Sequence, residues 1–373
     1  MKIEFYRHNL EEADIQNVVD VLRSIFLTTG PVTARFETLF AQYAQTDRVV
    51  ALSSCTAALH LSLLASGIGP GDEVLTTPLT FIATATAILH TGAVPVFVDV
   101  EADTALLDVS KVEEAVTPRT KAVIPVHLYG SMVDMRGLRM VAGRCGIKII
   151  EDCAQCIEGE RDGIRPGQLS EAACYSFYAT KNLTCGEGGA LATNNSELEK
   201  KVRMLRLHGM SKEAADRYTD RYQHWDMLAE GWKYNLSDLQ SALLVGQLNR
   251  LEAYWQKRDR IWKIYDRAFS EIPELATPEI NGKSARHLYT IWVDPQKRDR
   301  ILHRLQEKEI GVAVNFRAIH TLTYFREKFG LKPDDFPRAR KIGDRTISLP
   351  LYPNLKDDEI DYIVKTVKKI VQS

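Results

Sequence analysis

Lys181 is the residue with the most chemistry to offer. It closes the stretch Cys174-Tyr175-Ser176-Phe177-Tyr178-Ala179-Thr180-Lys181 and precedes Asn182-Leu183-Thr184-Cys185-Gly186-Glu187-Gly188-Gly189. Ala173, Tyr175 and Phe177 alternate with small or polar neighbours, the period of a strand. A second apolar run, Ala190-Leu191-Ala192-Thr193, follows the glycines. A lysine in a short loop between two buried strands loses hydration, and a poorly hydrated ammonium releases its proton below the usual lysine range. The neutral amine is then a nucleophile toward carbonyls. Taken alone, the window reads as a solvated loop lysine.

Two further stretches carry chemistry. Asp152 ends the strand pattern Lys148-Ile149-Ile150-Glu151-Asp152. Neighbours on a strand point to opposite faces, so Glu151 and Asp152 are not a paired-carboxylate site. Asp152 alone can accept a hydrogen bond from a ring N–H, or simply cap a helix. The strand pattern Val49-Val50-Ala51-Leu52 runs into Ser53-Ser54-Cys55-Thr56 and a helical run over 57–65. Free N–H groups at such a helix start bind phosphate, and an ordinary Ser/Thr cap has the same appearance. Gly67-Ile68-Gly69-Pro70-Gly71 follows a helix rather than a strand and reads as a C-cap and turn, not a dinucleotide loop.

The elements that must position these residues are legible as an alternation. Helical spacing marks 11–24, a helix carrying Phe36, Leu39, Phe40 and Tyr43, and 81–90. Strand runs fall at 73–76, 94–100, 121–127 and 147–150. Alternating strands and helices predict an α/β chain with a mainly parallel sheet between helical layers, its ligands beyond the carboxyl ends of the strands. Thr56, Asp152 and Lys181 all fall at or near such ends. An amphipathic helix is expected over 195–206, and a mobile loop over 211–230. From Ser237 or Asp238, the spacing of Leu239, Leu243, Leu248 and Leu251 continues past Trp255 and Trp262. A helix of about thirty residues would span on the order of 45 Å and link two domains. Strands over 287–293 and 312–316, a strand end at 348–351 and helices over 301–308 and 357–371 make a small C-terminal α+β domain. The expected division is 1–261 and 262–373.

Composition excludes several classes. The chain has 373 residues, 45% apolar and 26% charged, with 48 Lys plus Arg against 49 Asp plus Glu. A net charge of −1 offers no field for nucleic acid or an anionic membrane surface. No signal core or spanning apolar run is visible, so a cytoplasmic protein is expected. Six cysteines, Cys55, Cys145, Cys153, Cys156, Cys174 and Cys185, are too sparse for a disulfide scaffold. The lone Cys153-Ala154-Gln155-Cys156 lacks a second ligand pair, so reduced thiols and no metal are expected.

The constellation suits pyridoxal 5'-phosphate, which needs a lysine, a carboxylate for its pyridinium nitrogen, a phosphate cup and a flat neighbour for its ring. Lys181, Asp152, the Thr56 helix start with Ser176, and Phe81 are the candidates. Across nearly the whole chain the sequence resembles the DegT/DnrJ/EryC1/StrS nucleotide-sugar aminotransferases, of PLP fold type I. The likeness rests on Leu27-Thr28-Thr29-Gly30-Pro31, Ser53-Ser54-Cys55-Thr56-Ala57-Ala58-Leu59, Gly71-Asp72-Glu73-Val74, Pro125-Val126-His127, Glu151-Asp152-Cys153-Ala154-Gln155, Ser176 through Asn182, Gly186-Glu187-Gly188-Gly189 and Lys233-Tyr234-Asn235.

The resemblance implies Lys181 as Schiff-base lysine and proton shuttle, Asp152 as pyridinium partner and Gln155 at the ring hydroxyl. It implies the backbone of Cys55 and Thr56 with the Ser176 hydroxyl around the phosphate, and Phe81 against the ring. Asn235 would reach the phosphate of a neighbouring subunit in a homodimer with shared sites. L-Glutamate would be the amino donor. The stretch Asn315-Phe316-Arg317-Ala318-Ile319-His320-Thr321 resembles the branch that aminates C4 of a UDP-linked arabinose for lipid A. That places Arg317 and His320 at the substrate and implies a UDP-linked 4-ketosugar; linking the domains is their plainer role. Phe81 departs from the tryptophan of that branch, and Cys55, Cys153 and Cys156 stand where smaller residues are frequent. The alternatives are a C3-specific enzyme or one for dTDP- or GDP-ketosugars, a dehydratase of the same family, and a non-catalytic regulator. Lys181 stands against a dehydratase, because well-known ones carry histidine there.

Overall fold

The computed structural model describes residues 1–212 and 224–373. Much of the loop expected over 211–230 therefore lies outside the described residues. On its flanks Ser211 N donates to Asp226 O at 2.9 Å and Leu228 N to Gly209 O at 2.8 Å.

Two helices, α1 (Glu12–Leu22) and α2 (Pro31–Ala44), precede the main sheet. Its strands are β1 (Arg48–Leu52), β2 (Glu73–Thr76), β3 (Val94–Phe97), β4 (Thr120–Ile124), β5 (Lys148–Asp152), β6 (Ala172–Ser176) and β7 (Gly189–Thr193). They lie in the order β1-β7-β6-β5-β4-β2-β3. Every neighbouring pair is parallel except those of β7, which is antiparallel to both β1 and β6. Between strands run α3 (Cys55–Ala65), α4 (Ile82–His90) and α5 (Met135–Cys145), and α6 (Ser196–Leu205) follows β7.

Strand periodicity sorts the side chains into two cores. Leu75, Val123 and Ile149 pack on one face with Leu138 and Val141 of α5. Val74, Ala122, Ile124 and Ile150 pack on the other beneath α3. With both faces covered, the strands read as nearly continuous apolar runs. Helix α3 is itself buried on almost every side, including His60 and Ser62. Its N-terminus follows directly on β1, which runs the same way as β6, and so stands at the carboxyl ends of the strands.

The expected thirty-residue helix is two helices, α7 (Asp238–Leu248) and α8 (Leu251–Phe269). The chain turns at Asn249 and Arg250, where the Arg250 guanidinium pairs with buried Asp14 at 2.5 Å. Helix α8 passes through position 262 and supplies Ile261, Tyr265 and Phe269 to the C-terminal core. That core is completed by β8 (Tyr289–Trp292), α9 (Arg298–Glu307), β9 (Thr346–Leu349) and α12 (Asp357–Val371), while α10 (Thr323–Phe329) packs Phe325 against Ala85 and Phe97, and α11 (Pro337–Arg345) packs Ala339 and Ile342 on the first core of the main sheet. Strands β8 and β9 pair antiparallel. The strand expected over 312–316 does not form: Ala313 alone bridges to Ser348, and Asn315 and Phe316 turn toward a cavity. Ile3, from the other end of the chain, is buried in the same core. Its N–H donates to Glu309 O and its carbonyl accepts from Gly311 N, both at 2.8 Å. A Cβ on Gly311 would stand 2.3 Å from Phe5 N, so only glycine permits this seam.

Strand β1 ends at the turn that starts α3, and a buried carboxylate fixes it there. Glu37 accepts from Ala51 N, from Arg206 Nη1 and from Arg203 Nη2, each at 2.8 Å. Arg206 is only 1% exposed. Removing the Glu37 carboxylate strips Ala51 N of its acceptor and takes a charge-assisted partner from both arginines, at a cost of about 1–3 kcal/mol. Glu37→Ala is therefore expected to lower unfolding free energy by that amount in urea titrations. A change below about 1 kcal/mol would show that Glu37 does not hold this edge.

Candidate active site

A cavity of about 550 Å³ opens where β1, β5 and β6 end. That size suits a small-molecule site. Asp152, the last residue of β5, is 6% exposed and forms part of its wall. Its Oδ2 accepts from Thr84 Oγ1 at 2.8 Å and its Oδ1 from Ala154 N at 3.1 Å. Glu151 faces the other way. It accepts from His127 Nε2 at 2.7 Å and Gly167 N at 2.8 Å, and from Ser170 Oγ.

Lys181 follows the end of β6, its N–H donating to Tyr178 O at 2.9 Å. Its amine sits deep in the cavity wall. Desolvation pushes the Lys181 ammonium below the ordinary lysine range, opposed chiefly by the charge of Asp152. The Cys55 thiol is buried as well, and burial followed by the Asp152 charge pushes it well above the usual thiol range. It donates to Cys174 O at 3.2 Å and stays neutral.

The start of α3 lies at the same end. Ser54 Oγ caps it by accepting from Ala57 N at 3.0 Å, and Ala58 N reaches Ser54 O at 3.1 Å. The N–H groups of Cys55 and Thr56 have no acceptor among the described residues. Strand β7 passes directly against this turn: a Cβ on Gly189 would lie 2.5 Å from Cys55 N. Ser176 ends β6 and lines the same cavity. Gln155 Oε1 accepts from Tyr129 N at 2.7 Å, which holds the amide in the wall. Phe81 stands at the entrance, 55% exposed, its ring 5.7 Å from that of Phe316.

Three expected site residues lie off the wall of this chain's own cavity, as Asn235 must if it serves a neighbouring subunit. Asn235 does not line the cavity of its own chain; its Nδ2 donates to Thr29 Oγ1 at 2.7 Å. Arg317 is exposed and off the cavity wall. His320 is fully buried, bonded to Pro333 O at 3.0 Å and set against the Phe336 ring. The placement of Arg317 and His320 has a physical cause: the chain turns after Phe316, so Asn315 and Phe316 face the cavity while the next residues pack on α11 and its approach.

Several participants escape a linear reading. Thr84 holds Asp152 from one turn after Phe81. A wall of polar atoms without partners comes from Tyr6, Asn9, Asn315 and Tyr352, brought together from both ends of the chain. Arg258 is the exception that carried a signal. It interrupts the buried stripe Leu251, Tyr254, Ile261 and Tyr265 of α8, where an arginine needs a partner. The buried group His127, Glu151 and Cys153 has metal-ligand side chains close together. However, His127 Nδ1 accepts from Val133 N at 3.2 Å, so its proton lies on Nε2 and is donated to Glu151. No lone pair of that ring is left for a metal.

The amine's environment is testable without any ligand. Carbamylation by cyanate, followed against pH by mass spectrometry of the cofactor-free protein, should set in at Lys181 at lower pH than at surface lysines. Asp152→Asn removes a charge that favours the ammonium and should move the onset lower still. An onset at or above that of surface lysines contradicts the desolvated amine.

The set fits a phosphorylated pyridine aldehyde. Free N–H groups at a helix start suit a phosphate, Asp152 suits a protonated ring nitrogen, and Lys181 suits the aldehyde carbon. Comparison with known proteins agrees. The model of the DegT/DnrJ/EryC1/StrS aminotransferase family matches residues 8–368. The spore coat polysaccharide biosynthesis protein SpsC of Bacillus subtilis is 44% identical over 367 residues, covering 96% of this chain and 94% of that protein. Among solved structures, the PLP form of Spr1654 from Streptococcus pneumoniae, named as a sugar aminotransferase, superposes with a TM-score of 0.93 at 32% identity, over 100% of this chain and 99% of that one. It is also known in a PMP form. PseC of Helicobacter pylori, an aminotransferase of pseudoaminic acid biosynthesis, gives 0.93 at 28% identity over the full length of both chains. The fold is that of PLP-dependent fold type I enzymes, the cofactor is pyridoxal 5'-phosphate, and the chain belongs to the DegT/DnrJ/EryC1/StrS aminotransferase family.

Proposed function

We propose that this protein moves the amino group of L-glutamate to a nucleotide-linked ketosugar, and that the acceptor is a UDP-linked 4-ketosugar aminated at C4. One observation carries the sugar: the cavity that contains Lys181 and Asp152 has a second wall of hydroxyl and amide groups without partners. Tyr6 Oη, Asn9 Oδ1, Asn315 Oδ1 and Tyr352 Oη belong to it. A ring bearing several hydroxyls supplies the missing hydrogen bonds, and Phe5, Phe81 and Phe316 offer apolar faces to its C–H side. The likeness to SpsC and PseC, both named for the biosynthesis of a carbohydrate, supports the same class. The Asn315-Phe316 stretch, whose sequence resembles the C4-specific branch, forms part of this wall.

Bound pyridoxal phosphate supplies an aldehyde that carries the amino group between substrates and a ring that takes up electrons. Lys181 Nζ, poorly hydrated and neutral once displaced, takes the proton from the α-carbon of the donor and returns one to the sugar carbon. The Asp152 carboxylate, fixed by Thr84 and Ala154 N, accepts the pyridine N–H and keeps that nitrogen protonated. Cys55 and Thr56 N–H with Ser176 Oγ hold the phosphate. A cytoplasmic setting accords with six free cysteines.

A second element of the proposal is a homodimer with shared sites. Asn235 is held beside Thr29 and absent from its own cavity. Apolar Ile25, Leu27, Phe81, Tyr178 and Trp225 stand exposed on a single chain.

The function is tested by incubating the protein with glutamate and a panel of nucleotide ketosugars. 2-Oxoglutarate should accumulate and NMR should place nitrogen at C4 of a UDP-sugar. Nitrogen at C3, or turnover with dTDP-sugars alone, rejects the finer assignment and leaves amine transfer standing. Borohydride reduction should leave the pyridoxyl label on Lys181. Asp152→Asn should lower turnover by about 10²–10³-fold in a folded protein.

Shared sites are tested by mixing Lys181→Ala subunits with Asn235→Ala subunits. In a heterodimer one site then carries both lesions and the other neither, so activity should reappear. Inactivity after demonstrated exchange contradicts a contribution from Asn235 of the partner.

A further inference from the structure

Arg258 lines the cavity and is 1% exposed. Its Nη2 donates to Glu158 Oε1, and both side chains are almost completely buried. Its Nε and Nη1 have no hydrogen-bond partner among the described residues. The other oxygen of Glu158 accepts from Asn182 Nδ2 at 2.9 Å, and Asn182 is the residue after Lys181. Asn182 also reaches Ala285 O at 2.9 Å and His287 Nδ1 at 3.3 Å. Guanidinium, carboxylate, amide and imidazole thus form one network behind the reactive amine. Burial pushes the His287 imidazolium well below its ordinary range, with the charges of Lys181 and then Arg258 adding to the effect. His287 is therefore neutral. Apart from Lys181 itself, Arg258 is the one cationic side chain on the described cavity wall.

We propose that Arg258 receives the α-carboxylate of the amino donor, and that its pairing with Glu158 lets the same cavity also accept an uncharged sugar ring. The proposal rests on the amine-transfer reading above. A donor that is an α-amino acid brings a carboxylate one bond from the reacting carbon. Buried there without a cation, it would be strongly disfavoured. Arginine is always protonated in proteins and presents a planar fork of donors to a carboxylate. Here that fork has N–H groups to spare, and its network runs through Asn182, the residue after Lys181, to His287, on which the charges of both Lys181 and Arg258 act. A diphosphate is a poorer match, since its several oxygens need several cationic donors. The acceptor sugar brings no charge to this spot. A lone buried cation would resist it, whereas a guanidinium already balanced by Glu158 presents only N–H groups to its hydroxyls.

The test uses the PLP-loaded protein and α-methyl-L-glutamate, which binds as a donor but has no α-proton to surrender. Binding is read from the cofactor absorbance. Arg258→Met alone strands Glu158 and risks unfolding, so the informative variant is Arg258→Met with Glu158→Gln, which removes both charges. A charge-assisted hydrogen bond corresponds to about 10–100-fold in affinity. The double variant should weaken α-methyl-L-glutamate by that factor while 4-aminobutyrate, which lacks the α-carboxylate, changes less than about threefold. Glu158→Gln by itself keeps the cation and removes its counter-charge, so it should tighten α-methyl-L-glutamate. Equal losses for both ligands, or α-methyl-L-glutamate binding within threefold of the parent, overturn the assignment. A parent protein that exchanges its amino group only with amines lacking a carboxylate overturns it too, and leaves amine transfer intact. A parent protein that exchanges no amino group with any amine removes the underlying reading, and this assignment falls with it.

Discussion

The molecule is organised around an ammonium group that is short of water. The Lys181 amine is desolvated by the ends of β5 and β6 and by the start of α3, and only the Asp152 charge works strongly against its deprotonation. This balance requires Asp152 to remain a rigid acceptor. A carboxylate free to swing toward the amine would form an ordinary ion pair and restore the lysine's proton. Thr84 Oγ1 and Ala154 N each donate to one of the Asp152 oxygens and so fix its orientation. Helix α4 is thus more than packing on the sheet, because it carries the hydroxyl that orients Asp152. The neighbouring thiol does not compete: Cys55, pushed up by the same burial, is no nucleophile near neutral pH.

Desolvation at one wall is matched by unmet hydrogen-bonding capacity at the other. Buried polar groups without partners cost about 1–3 kcal/mol each, so folded proteins carry few of them. Tyr6, Asn9, Arg258, Asn315 and Tyr352 all have such atoms, and all five line one cavity. The Ile3–Gly311 seam brings Tyr6 and Asn9 across to the C-terminal unit, and α8 passes beneath with Arg258. Unpartnered polar atoms are thus gathered around one cavity by elements from both ends of the chain.

Much of this was already determined by the sequence. Alternation at Ala173, Tyr175 and Phe177 set a strand before Lys181, and the continuous apolar runs announced a sheet covered on both faces. Helix α12 runs from Asp357 to Val371 as its spacing predicts. The positions of Thr56, Asp152 and Lys181 at or near strand ends follow from local patterning, whereas Cys55, Ser176 and Gln155 were singled out by the resemblance of their motifs. Opposite facing of Glu151 and Asp152 follows from the two-residue period alone.

Only the tertiary structure decided the rest, because it depends on partners distant in sequence. The stop between α7 and α8 carries no glycine or proline at Asn249 and Arg250; it comes with the reach of Arg250 to Asp14, over two hundred positions away. Pairing of 312–316 ends after one bridge, since Asn315 and Phe316 are drawn to a cavity that no local pattern reveals. His320 turned out to serve Pro333 and Phe336. Tyr6 and Tyr352 line one cavity because Ile3 docks on the C-terminal core, a contact between the two ends of the chain. Periodicity specifies which face of an element is apolar, and it is silent on which other element that face will meet.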